Sequence, residues 1–436
     1  MLSLIDTGLV ALSLKLEEKI LEINNVKKKE WLEAFKAING RSPSAQEYND
    51  AKIKGEFSDD SQNEPGDKTC PKCHQLNVTG STFCPNCGAK MEGSGNASVD
   101  AASDIVSGIA NKINSVTGGE GPVELRMRDL FSEVFKKHTR EEVENIFACG
   151  SEKTTPKLED ISREWPKPWY FARVFGFLLI SSLLLYFMLV TFNNQIVIPG
   201  LIFVSSMIGA IPILFFYFEI NSPRNIDLMT VIQIFFFGGL LSLVITLTLF
   251  QVFPTDASPI ATLVAAAIEE IGKIVATSWY IQKLQNKRFL FNGLLIGGAV
   301  GAGFDVFESA GYTFYALLGN NFTAQEFLTS AIGRGLTGIA AHVAWGAITG
   351  AGVMMVLKKN REFSWSLLWT GESLRFLILT TVLHTFWNTP ILPNLLQQGI
   401  LILLALIVIV IIINRGLKEI NEIGRNAKKL QSSDSN

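Results

Sequence analysis

Basic residues are not in excess: 38 Lys and Arg stand against 40 Asp and Glu, for a formal net charge of -2. No polyanionic partner is indicated, and nucleic acid is not expected as a ligand. Charge of either sign is scarce, only 18% of 436 residues, and mean hydropathy is +0.28, which excludes an ordinary soluble protein. The opening MLSLIDTGLVALSLKLEEK lacks a basic n-region and places Asp6 and Lys15 in or beside its apolar run. A cleaved signal peptide is therefore not expected. Histidine and cysteine are also rare, with 4 and 5 copies, so the position of each is informative.

What is abundant is apolar surface, nearly all of it after Trp169. The fold class expected is an all-α polytopic membrane protein: a cytoplasmic N-terminal helical region, a small zinc ribbon and eight transmembrane helices. We divide the chain into a helical segment 1–66, a zinc ribbon 67–91, a flexible linker 92–122, a juxtamembrane helical segment 123–165, a membrane domain 166–415 and a tail 416–436. Hydropathy places the spans at 170–192, 196–218, 228–253, 257–281, 290–318, 327–356, 373–395 and 397–414. Lys and Arg flank every second connection, as in Lys283, Lys287 and Arg288 after the fourth span, whereas NNQ, PTD, GNNFTAQE and PNLLQQ carry none. By the positive-inside rule both termini are cytoplasmic.

Within the soluble part, residues 8–38 have helical spacing, and Ser44 with Glu47 reads as a capping box. Cys70, Cys73, Cys84 and Cys87 form two C-x2-C knuckles, each with a proline inside it. Four thiolates so spaced close a tetrahedral sphere around a structural Zn2+, and a reducing cytosol keeps them available. Cys70-Pro71-Lys72-Cys73-His74 also fits a haem-attachment pattern, but that needs an exported domain and leaves Cys84 and Cys87 without a role. Cys149 reads as an ordinary free thiol and His138 as an exposed polar residue, while Thr139 with Glu142 is a second capping box.

The fourth span holds Glu269, Glu270 and Lys273 near its middle, three ionisable residues in five. Each costs about 2.5–3.5 kcal/mol at that depth on insertion scales, so a function is expected there. On a helix the three share one narrow sector, whereas Ile260, Val264, Ile271, Ile274 and Val275 point the other way, toward lipid. The fifth span carries Asp305 and Glu308, with Gly293, Gly297 and Gly301 in four-residue steps that suit close helix packing. The sixth carries Arg334 and His342, the seventh His384 and Asn388 one turn apart. Counting about 1.5 Å per residue from the cytoplasmic ends, Glu270 and His384 lie about 16–18 Å deep, His342 and Asn388 about 22 Å and Glu308 about 28 Å. One cluster is geometrically open to all of them. Four acids against Lys273 and Arg334 leave two excess negative charges, answered either by two protonated carboxyls or by a divalent cation. Both answers suit water activation and attack on a peptide carbonyl.

The E-E-x-x-K of Glu269, Glu270 and Lys273, the F-x-x-x-E of Phe304 and Glu308, Arg334 eight residues before His342, and the H-x-x-x-N of His384 and Asn388 together resemble the PrsW family of intramembrane proteases. The resemblance covers about 165–415. It implies cleavage of membrane-anchored proteins, anti-sigma factors among them, in a prokaryotic plasma membrane. It also implies Glu269 as the water-activating base, Glu270, Glu308 and His342 completing the site, His384 and Asn388 polarising the carbonyl, and Lys273 holding the glutamate pair. The wider superfamily leaves metal-dependent and metal-free mechanisms both open. The ribbon lies outside the resemblance and suits a cytoplasmic regulator. Two rival readings are an ion-coupled transporter, since buried acids and histidines also make proton relays, and a silent scaffold displaying the ribbon.

Overall fold

Glycine recurs at 293, 297, 298, 301 and 303, and this run of small residues builds the helix against which most others pack. In the computed structural model, residues 97–434 are described apart from 120, 124, 255–257, 319–326 and 361. Before residue 97 only Trp31, Phe35, Ala51 and two short strands are described. The strands, β1 (Lys68–Thr69) and β2 (Leu76–Asn77), pair antiparallel with Lys68 opposite Asn77. The Ser44–Glu47 box and the four ribbon cysteines lie outside the described residues. The chain divides into two units, 1–100 and 101–436, and the second holds the membrane region.

That second unit is helical. After α1 (Ala97–Val116) and α2 (Arg140–Phe147) come α3 (Tyr170–Phe192), α4 (Gln195–Ile220), α5 (Leu228–Val252), α6 (Pro259–Lys283), α7 (Leu290–Leu317), α8 (Thr329–Lys359), α9 (Gly371–Asn388) and α10 (Asn394–Asp434). Among the described residues six helices are long and apolar enough to cross a membrane: α3, α4, α5, α7, α8 and α10. The other two expected spans exist as helices, α6 and α9. Glu269, Glu270 and Lys273 interrupt the apolar run of α6, and α9 is only 18 residues long and begins with Glu372 and Arg375.

α7 is the buried axis. A side-chain carbon at Gly293, Gly297 or Gly301 would collide with the backbone of Gly350, Gly346 and His342 respectively, so α7 and α8 touch main chain to main chain. The basic-flanked ends are tied by a buried amide triad in which Asn292 Nδ2 donates to Asn221 at 3.0 Å and Asn225 at 2.6 Å. Glu419 joins the start of α7 to α10 by accepting from Leu290 N at 3.0 Å, and it pairs with Lys358 at 2.8 Å. α3, by contrast, fully buries only Leu178 and Ser182 and presents much of its apolar surface outward.

Four expectations need correction. The stretch 92–122 is not all linker: 97–116 is helical, because Ala110 packs on Ile407 and Ile411 and Arg415 grips Asn114 and Thr117. Ile274 is buried in the core, not lipid-facing, since α6 is enclosed on more than one side; Ile260 and Val264 do remain exposed. His138 is not an exposed polar residue, because its ring stacks on Trp169 at 3.6 Å and its side chain is 8% exposed. The sixth span is not one regular helix. It is π-helical over Thr329–Gly333 and α-helical over Arg334–Thr337, loses helical form at 338–341 and restarts at His342. The break lies where Gly209 of α4 presses on Gly335 and Ile339 and where Asp305 faces Gly338. The Thr139–Glu142 capping box is formed, and among the described residues Cys149 is a free thiol.

Candidate active site

α6 starts cleanly because Ser258 accepts from Ala261 N and Pro259 occupies the first turn. Glu269, Glu270 and Lys273 then emerge, all buried, on the flank that faces α7, α8 and α9. Lys273 Nζ donates to Glu270 Oε1 at 2.6 Å and contacts His342 Nδ1 at 2.8 Å. Its ammonium also lies over the rings of Phe304 and Trp345, 5.2 and 5.3 Å from their centres.

From α8, His342 Nε2 stands 3.1 Å from Glu308 Oε2, and the same oxygen accepts from Arg334 Nη2 at 3.0 Å. From α9, His384 Nδ1 stands 3.0 Å from Glu270 Oε1, while its Nε2 stands 3.5 Å from Glu269 Oε2. Six of the seven expected catalytic residues thus meet in one cluster drawn from four helices. Asn388, the seventh, is exposed at the end of α9, but it lines the same cleft as Glu269 and Glu308. That cleft, about 890 Å3, is walled by Leu247, Phe250, Phe307 and Tyr312 and has the two carboxyls among its lining. Asp305, counted with the buried acids, is not in the cluster; it is buried facing Gly338.

Two residues without an assigned role complete the site. Trp345 lies nearly parallel on the His384 ring at 4.4 Å and edge-on to His342 at 5.1 Å. Phe304 packs on His342 at 4.9 Å. Trp345 is three residues past His342, on the same helical face, and that spacing alone marks it as a neighbour.

The hydrogen bonds dictate proton positions. A carboxylate only accepts, so His384 donates from Nδ1 to Glu270 and turns the lone pair of Nε2 toward Glu269. Glu269 Oε2 is buried there and accepts no hydrogen bond. Two electron-pair donors facing each other at 3.5 Å leave a place for a proton or a cation. Ligand atoms of Glu269, His342 and His384 all lie within 4.8 Å of one another, a donor set that suits a divalent metal, with Glu270 orienting His384 from behind.

No curated protein and no solved structure matches the chain. Residues 69–91 match the zinc-ribbon domain, consistent with the four cysteines. Residues 223–413 match the PrsW family intramembrane metalloprotease, a range that begins just before α5 and takes in every residue of the cluster. The membrane region, which follows a segment that matches a zinc ribbon, is therefore similar to the PrsW family of intramembrane metalloproteases.

Proposed function

We propose that this protein is an endopeptidase that hydrolyses peptide bonds of membrane-anchored proteins at the Glu269, Glu308, His342 and His384 cluster. The observation that carries the reading is the cleft with apolar walls that opens on Glu269 and Glu308. An extended peptide released from a helix suits such walls, and its scissile carbonyl would reach the two carboxyls. With no ion bound, Glu269, accepting no hydrogen bond at Oε2, is the base that takes a proton from the attacking water. Glu308 is held for its part by Arg334 and His342. Glu270 fixes the tautomer of His384, so that Nε2 faces the reacting atoms, and Asn388 at the rim offers its amide to the carbonyl oxygen.

Glu269, His342 and His384 would hold a divalent metal, which when bound lowers the pKa of water and polarises a carbonyl. In this reading α6 and α9 also cross the bilayer, making eight spans with both termini cytoplasmic in a prokaryotic plasma membrane. Glu269, Glu270 and Lys273 are then tolerated because α7, α8 and α9 shield them from lipid. The ribbon at 69–91 binds structural zinc and docks a cytoplasmic regulator.

The test is a map of new protein N-termini in membranes from cells that express the wild type, Glu269→Ala or His342→Ala at equal levels. Termini within or beside membrane anchors should appear with the wild type and vanish with both variants. Unchanged termini in both variants would end the reading.

A further inference from the structure

The contact between Lys273 and His342 bears on how the site takes a cation, and the inference rests on the reading of Glu269, His342 and His384 as ligands. Lys273 is wholly buried, 2.6 Å from Glu270 Oε1 and 2.8 Å from His342 Nδ1. An ammonium has only protons to give, so His342 Nδ1 accepts and its lone pair is spent. The ring proton of neutral His342 then sits on Nε2, where Glu308 Oε2 receives it at 3.1 Å. In this arrangement His342 has no electron pair left for a metal. Nδ1 is also the nitrogen 3.9 Å from Glu269 Oε2, so it is the atom suited to completing the set with Glu269 and His384.

We propose that Lys273 is a positioning residue that competes with a divalent cation for His342 Nδ1, so that the strength of cation binding is set by Lys273 and not by the ligands alone. One positive charge stands in for another. With the ammonium on Nδ1, His342 is held in one orientation between Lys273 and Glu308, flanked by Phe304 and Trp345. For a cation to reach Nδ1 the ammonium must withdraw, and Glu270 offers it a partner on its own helix, three residues away. The same lysine therefore neutralises Glu270 in both conditions, and only its hold on His342 changes.

The measurement is a titration of the full-length, zinc-loaded protein with Mn2+, with free ion followed by electron paramagnetic resonance. Mn2+ favours nitrogen and oxygen donors and does not displace zinc from four thiolates, so the ribbon does not contribute. Lys273→Met keeps the apolar stem and removes the charge. We expect it to bind Mn2+ at least about tenfold more tightly than the wild type, a gain of about 1.4 kcal/mol. The gain should disappear in Lys273→Met combined with His342→Asn. Because Lys273→Met leaves Glu270 buried without its cation, Lys273→Gln, which removes the charge but keeps a donor for Glu270 and leaves the Glu270–His384 contact intact, is measured beside it and should also bind Mn2+ more tightly. Affinities within about threefold of the wild type in both charge-removed variants, or no Mn2+ binding by either, would overturn the proposal. Neither result depends on a substrate. A flat titration leaves any cleavage defect of Glu269→Ala standing, and absent cleavage leaves the titration standing.

Discussion

A side-chain carbon at Gly301 would run into the carbonyl oxygen of His342. The bare backbone at this position lets α7 come close enough to α8 for Glu308, two turns further along, to reach the His342 ring at 3.1 Å. The glycine stripe read as ordinary helix packing is thus also a device that sets the width of the site.

Gly301→Val should therefore separate α7 from α8 and pull Glu308 away from His342. Overpacking of this kind costs about 1–3 kcal/mol, so a lower thermal midpoint is expected together with at least about a tenfold loss of substrate cleavage. Gly176→Ala in α3, where nothing lies within 4 Å of the added carbon, should lower neither. Thermal unfolding of the purified protein, paired with cleavage in membranes, separates the two.

Trp345 supplies area and orientation together. Trp345→Ala should cost about 3–5 kcal/mol from the buried cavity it leaves. Trp345→Phe keeps most of the packing but loses part of the stack on His384, worth about 0.5–1.5 kcal/mol. The Phe variant is expected to fold normally and to cleave severalfold more slowly. A stable Ala variant with full cleavage would show that the stack has no role.

Arg415 holds α1 against α10. Its guanidinium donates to Asn114 Oδ1 at 3.0 and 2.7 Å, to Asn114 O at 2.7 Å and to Thr117 Oγ1 at 2.7 Å. Arg415→Ala strips all of these contacts, leaving chiefly the small Ala110 patch to hold the helix. Trypsin should then cut after Lys112 at least about threefold faster than in the wild type, as measured by mass spectrometry over a time course, because local opening free energy sets such rates.

Cys149 Sγ donates to Ile226 O at 3.4 Å, and burial pushes its thiol above the ordinary cysteine value, with Asp227 adding to the effect and Arg224 opposing it. A raised pKa means less thiolate at a given pH. Iodoacetamide should therefore label Cys149 more slowly than a free peptide cysteine at pH 8, with the rate still climbing as pH rises past 9. Zinc-loaded full-length protein and its Cys149→Ser variant isolate the signal; a Cys149 rate equal to that of the peptide would contradict the burial.

Much of the site was legible in one dimension because burying charge in an apolar helix is costly. Glu269, Glu270 and Lys273 needed company, and the acids and histidines of the next spans were the groups able to provide it. Depth counting along helices of known rise was enough to put Glu270, His342 and His384 within reach of one another. The Thr139–Glu142 box was legible for a simpler reason: it is settled within a few residues of chain.

What stayed illegible depends on which backbones meet. The break at 338–341 lies where Gly209 and Asp305 come close to Gly335, Gly338 and Ile339, residues more than thirty positions away or on another helix. The inward turn of Ile274 requires knowing that α6 is enclosed on more than one side, and the stack of His138 on Trp169 requires the chain to fold back thirty-one residues later. The sequence by itself determined that this chain gathers acids and imidazoles inside an apolar bundle, because isolated charges cannot remain in hydrocarbon. Only the tertiary structure decided that His342 begins a helix, that Lys273 takes its Nδ1 and that His384 turns Nε2 to Glu269, because hydrogen-bond direction is fixed by contacts through space and not by spacing along the chain.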